Sequence, residues 1–129
     1  MTEQRPPVDP SEWLYRRGHS SPEKKYMNPD GTATSRVFKL REKDHGELSV
    51  DVRSMTTPKI SVGDDSKFML FEIANQDVLN VGLRTFHDPC TVASHGFDNP
   101  AHAALVGMDM EDDVLPGMLA RKSRRVNFE

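Results

Sequence analysis

Alternation of apolar and polar residues is the clearest pattern in this chain. Leu48, Val50 and Val52 alternate with Ser49, Asp51 and Arg53, and Phe38 and Leu40 share one face of Arg36–Arg41. Successive side chains of a strand point to opposite faces, so each run predicts a strand with one apolar face. The charged segment between the two runs ends in Gly46 and predicts an antiparallel pair joined by a long loop. Phe68–Ile73 is apolar on both faces, which predicts a central strand covered on both sides. Val81–Phe86 and His102–Val106 predict two further strands. At the C-terminal end the period changes. Asp109, Glu111, Asp112 and Asp113 precede a segment closed by Arg121, Lys122, Arg124 and Arg125, a charge order that complements a helix dipole. Leu115, Met118, Leu119 and Val126 lie near one stripe, with Asp113 as N-cap and Pro116 in the first turn, so a helix is predicted over Asp113–Arg125. Strands followed by a terminal helix predict a single α+β domain with a mainly antiparallel sheet of four or five strands and the helix packed on one face.

The domain is placed at residues 12–126, beginning at Trp13-Leu14-Tyr15. Residues 1–11 carry Pro6, Pro7 and Pro10 among charged residues and are expected to form a flexible arm; residues 127–129 are a tail. His19–Thr34 is turn chemistry, and Asn28-Pro29-Asp30-Gly31 fits a type I turn. With 129 residues, 36% hydrophobic and 29% charged, the chain supports one modest core. A formal charge of −3 argues against a nucleic-acid binder that works by whole-surface attraction. One cysteine cannot form an internal disulfide, no apolar run approaches the ~20 residues of a membrane span, and the N-terminus has no secretory pattern. The simplest location is a reducing bacterial cytoplasm.

Candidate chemistry concentrates between Phe86 and His102, which hold three of the five histidines and the only cysteine. His87, Cys90 and His95 have the spacing His-x2-Cys-x4-His, and imidazole with thiolate suits zinc. The spacing lacks a paired Cys-x2-Cys, and Cys90 after Pro89 has no cationic neighbour beyond the histidines, so no zinc and no other cofactor is expected. Asn99-Pro100-Ala101-His102 sets a histidine at the mouth of an apolar strand, where it is held rigidly enough to serve as a general base. Structural histidines bonded to a backbone carbonyl arise from the same pattern. Tyr15-Arg16-Arg17-Gly18-His19 is a second candidate, since guanidinium forks match anionic oxygens, and Thr34-Ser35-Arg36 adds hydroxyls. His102, His19, Arg16 and Ser35 are therefore the candidate catalytic set. Glycine-rich phosphate loops and the Gly-x-Ser-x-Gly elbow are absent from the sequence.

Four short blocks, Leu-Tyr-Arg-Arg-x-His, Thr-Ser-Arg-Val-Phe, Glu-Leu-Ser-Val-Asp and Asp-Asn-Pro-Ala-His-Ala, span residues 14 to 106. In this order the chain resembles a group of small bacterial single-domain proteins with no established activity. The matching positions are Arg16, His19, Ser35, Phe38, Ser49, Asp51, Asn99 and His102; Cys90 and His95 fall outside the blocks. The scattered Arg, His and Ser are also similar to the constellations of NAD-handling transferases and tRNA 2′-phosphotransferases, which implies an arginine grip on a phosphate. No late Glu-x-Glu or Gln-x-Glu pair accompanies them, a departure from classical ADP-ribosyl transfer.

Two functions follow as expectations. The first is an accessory or binding protein that recognises a macromolecular partner, a protein rather than nucleic acid or membrane. The second is an enzyme acting on a phosphate-bearing or nucleotide ligand in an Arg/His/Ser cleft. The second requires Arg16, His19, Ser35 and His102 to converge in one pocket.

Overall fold

The computed structural model describes residues 3–127. Its elements in chain order are β1 (Trp13–His19), β2 (Glu47–Val52), α1 (Pro58–Val62), β3 (Phe68–Ala74), α2 (Asn75–Asn80), β4 (Arg84–His87), α3 (Val92–His95), β5 (His102–Val106), α4 (Val114–Lys122) and β6 (Arg124–Arg125), with short 3₁₀ turns between several of them. The six strands form one antiparallel sheet in the order β4-β5-β2-β1-β3-β6. This is a small single-domain α+β fold. None of the described helices is long and apolar enough to cross a membrane.

The two faces of the sheet differ because the strands alternate. Leu48, Val50 and Val52 of β2, Ala103 and Leu105 of β5, and Phe71 and Ile73 of β3 face one side and are buried there with Leu119 of α4 and Val78 of α2. The opposite face is covered only in part. Tyr15 and Leu70 form a small second cluster with Val62 of α1, and Phe68 and Val126 pack against it. Over β2 and β5 that face carries the polar Ser49, Asp51 and His102 beside Ala104.

Several expectations are met. β2, β5 and the two-faced β3 fall where the alternation places them, and α4 packs through Leu119 and Ala120 on the main core. Arg36–Arg41 is not a strand. Ser35–Phe38 forms a 3₁₀ turn with both Val37 and Phe38 fully buried, and β2 pairs with β1 and β5 instead. Two consecutive buried side chains cannot share one face of a strand, and a tight turn satisfies both. Val81–Phe86 is also corrected: α2 occupies Asn75–Asn80, Gly82 turns the chain at φ +89°, and β4 begins only at Arg84. β3 is next to the edge strand β6, not central.

At the C-terminus the helix ends at Lys122. Glu72, 8% exposed on β3, pulls Arg124 out of a helical path: its carboxylate accepts from Arg124 Nε at 2.5 Å and from Arg53 Nη1 at 3.0 Å. Both guanidiniums also lie over the Trp13 ring, at 4.6 and 5.0 Å. At the other end, Asp112 rather than Asp113 accepts the first helical N–H groups, from Val114 at 2.8 Å and Leu115 at 3.0 Å. Asp113 pairs with Lys39 at 2.7 Å.

Residues 6–8, part of the segment expected to be a flexible arm, lie along β4. Val8 N donates to Thr85 O at 2.9 Å, His87 N donates to Pro6 O at 2.8 Å, and Val8 is 3% exposed. Asn75 fastens this contact from below. It is fully buried; its Nδ2 donates to Val8 O at 3.0 Å and Asp9 O at 3.2 Å, and its Oδ1 accepts from Thr85 Oγ1 at 2.8 Å. Removing that amide strands buried carbonyls and a hydroxyl, so Asn75→Ala should lower the unfolding free energy by about 2–3 kcal/mol. Urea denaturation followed by circular dichroism measures this; a loss within error would show that the arm is not fastened by Asn75.

Candidate functional site

The uncovered part of the sheet is the floor of a cleft of about 740 Å³, a size suited to a small ligand or a chain segment. Ser49 and Asp51 of β2 and His102 and Ala104 of β5 lie on the floor, where the register pairs Asp51 with His102 and Ser49 with Ala104. Alternation therefore brings the three polar side chains together. One wall carries Met55, Ile60 and Ser61, from the segment leading into α1 and from α1 itself; the other is the loop 88–100 with α3. Met55, Ile60 and Phe97 are 45%, 70% and 55% exposed, so the rim is apolar and open.

Asp51 connects the floor to both walls. Its Oδ2 accepts from Ser61 Oγ at 2.6 Å and its Oδ1 from Asn99 Nδ2 at 2.9 Å. Ser61 is aimed inward because Thr57 caps α1 through Ile60 N at 3.2 Å and Pro58 opens the helix. Asn99 is fixed at the base of the other wall, where Cys90 and Asn99 exchange backbone hydrogen bonds of 3.0 and 2.9 Å. Within that loop Thr91 and Ser94 form a reciprocal cap and Asp98 accepts from Val92 N at 2.9 Å.

His102 is held at both ring nitrogens. Nδ1 lies 2.7 Å from the Asp88 carbonyl, Nε2 lies 3.1 Å from Ser49 Oγ, and an Asp88 carboxylate oxygen stands 3.6 Å from Nδ1. The Asp88 backbone is tied in turn, its N–H donating to His102 O at 2.9 Å. His95 faces His102 across the cleft, with ring centroids 6.4 Å apart.

Of the candidate catalytic set, Arg16 and His102 line this cleft, whereas His19 and Ser35 lie outside its lining. β1 and β2 are paired only at Leu14–Val52 and Tyr15–Asp51, and beyond that point the Arg16 guanidinium fills the gap. Its Nε donates to Val37 O at 2.8 Å and Nη1 to Ser49 O at 2.9 Å, replacing the ladder bonds that the diverging strands lack. Burial pushes it down to about 10, still cationic at neutral pH. His19 packs between the Tyr26 and Phe68 rings, at 5.6 and 4.9 Å; burial, then Lys24 and neighbouring cations, hold its imidazole below its ordinary value. Ser35 is exposed at the start of its 3₁₀ turn.

His87, Cys90 and His95 do not converge. His87 pairs with Ala103 and thus sits on the sheet face opposite His102, while Cys90 and His95 line the cleft. Among the described residues no three of His, Cys, Asp and Glu gather as a metal-holding group.

Ser49, Asp51 and Asn99 were not in the candidate set. By residue type each reads as an ordinary polar position of a strand or turn, and it is the tertiary arrangement that sets them in the cleft with Arg16 and His102. No protein-family profile, curated protein or solved structure matches this chain.

Two outcomes are expected from this geometry. Asp51→Ala leaves Ser61 and Asn99 without their acceptor, which should cost about 1–3 kcal/mol and speed amide exchange in residues 91–99 relative to β3. Unchanged exchange in that loop would show that Asp51 does not hold the wall. Cys90 is 4% exposed, and burial first, then Asp88 and Asp51, raise its thiol above the ordinary value. At pH 8 its thiolate fraction is then below that of a free thiol. Its reaction with Ellman's reagent should be slower than after denaturation and should quicken as pH rises; equal rates folded and unfolded would contradict the burial.

Proposed function

We propose that this protein is a binding module that recognises a segment of a protein partner in the cleft over β2 and β5. The observation that carries this reading is the charge of the cleft. Asp44, Glu47, Asp51, Asp88 and Asp98 line it against the guanidiniums of Arg16 and Arg17. Arg16 is turned onto two backbone carbonyls, and Arg17 lies over the Phe68 ring at 4.6 Å. Arg5 approaches Glu47 at 2.6 Å and Asp88 at 3.6 Å, which offsets part of the acid and leaves the remainder in excess. A cationic or amide-donating side chain complements that floor, and an apolar neighbour fits Met55, Ile60 and Phe97 on the rim.

A phosphate-bearing or nucleotide ligand has less support. An anion would meet the acid excess, the guanidinium best placed to grip it already serves two carbonyls, and His19 and Ser35 lie elsewhere. The accessory role in a bacterial cytoplasm is part of the same proposal and is consistent with a single free, buried cysteine.

A random peptide library screened against the intact protein tests the reading. Selected sequences should pair Lys or Arg with a nearby apolar residue, and their affinity should fall by about tenfold between 50 and 500 mM salt. Selection of acidic or phosphorylated peptides, or of none, would overturn it.

A further inference from the structure

We infer that Ser49 is a nucleophile activated by His102, so that the cleft can accept an acyl group from an ester. The inference rests on the reading of this cleft as the binding site and adds a chemistry to it. A backbone carbonyl can only accept, so the 2.7 Å contact between Asp88 O and His102 Nδ1 places the ring proton on Nδ1. The neutral imidazole then has its lone pair at Nε2, 3.1 Å from Ser49 Oγ, and the serine hydroxyl must be the donor. That is the order a nucleophile–base pair needs: hydroxyl to ring, ring to a fixed acceptor. The Asp88 carboxylate oxygen, 3.6 Å from Nδ1, stands where it favours the imidazolium formed when Ser49 gives up its proton.

Ser49 is also accessible. It is exposed on β2 at the cleft floor, unlike a structural serine closed into a core. Its own carbonyl is gripped by Arg16 Nη1 at 2.9 Å, which fixes the strand at the reacting position. The acid-rich surroundings select an uncharged or cationic acyl ester over an anionic one.

The step is balanced. Ser49 Oγ attacks the ester carbonyl carbon as its proton passes to His102 Nε2. The tetrahedral adduct collapses, its bond to the alcohol oxygen breaks, and the alcohol leaves with the proton from His102. Water then adds to the Ser49 ester, giving its proton to His102. Collapse releases the carboxylic acid, and Ser49 recovers its proton from the imidazolium.

An alkyl fluorophosphonate and p-nitrophenyl acetate test this on the full chain. The expected result is one phosphonyl adduct per chain, mapped by tandem mass spectrometry to Ser49, and a burst of about one p-nitrophenolate per chain. Ser49→Ala should abolish both, and His102→Gln, shown folded by circular dichroism, should slow labelling by about 100-fold. An adduct at another residue, or labelling of the native chain no faster than of the urea-unfolded chain, would overturn the inference without depending on any variant. The peptide screen on the same unmodified protein separates the two readings. Peptide selection without Ser49 labelling removes the nucleophile alone; Ser49 labelling without peptide selection retains the chemistry and removes the peptide partner.

Discussion

The Asp51 carboxylate is the constraint on which the cleft depends. It sits on a strand whose other face is the hydrophobic core, and its two oxygens take one hydrogen bond from each wall. The walls pack sparingly: α1 contributes Val62 to the small second cluster, and α3 has no buried residue. α1 is a five-residue helix and α3 a four-residue one, both too short to be stable without tertiary contacts. Ser61 and Asn99 therefore supply what helix length does not, and the carboxylate is kept in hydrogen-bonded surroundings rather than left bare beside apolar side chains.

The sheet has to leave this face open because its two faces are unequal. The main core absorbs the apolar positions of β2, β3 and β5, and the small cluster under α1 covers only the β1–β3 end of the other side. Polar residues on β2 and β5 fill the remainder. Protection of the edges follows the same economy of material. Residues 6–8 lie along β4, and β6 contributes only two residues held by Glu72, so neither edge offers a long unpaired strand.

Charge and geometry then divide the work within the cleft. Arg16 is the residue most easily taken for an anion grip, yet its fork repairs a gap between two diverging strands. The histidine at the mouth of β5 is bonded to a backbone carbonyl, which is what a structural histidine does, and that bond is also what leaves its other nitrogen free to accept from Ser49. One contact serves both roles, so the pattern around His102 could not separate them.

Much of the fold was legible in the chain because alternation is a local property. Leu48–Val52, Phe68–Ile73 and His102–Val106 each carry their period within a few residues, and the acid-to-base order of the last segment marks α4. Arg36–Arg41 and Val81–Phe86 misled because apolar residues in a buried turn or just past a helix also look like half-buried strands. Arg124 and Arg125 read as a helix end because nothing near them in sequence shows Glu72. His102 and Arg16 stood out by residue type and neighbours. Ser49, Asp51, Ser61 and Asn99 did not, since a serine or aspartate on the polar side of a strand is indistinguishable from a solvated one until the register is known. The sequence determined which positions face away from the core. Pairing of β2 with β5 and the placement of two short helices beside them decided which of those positions meet, because contacts 48 and 53 residues apart along the chain exist only once the sheet has formed.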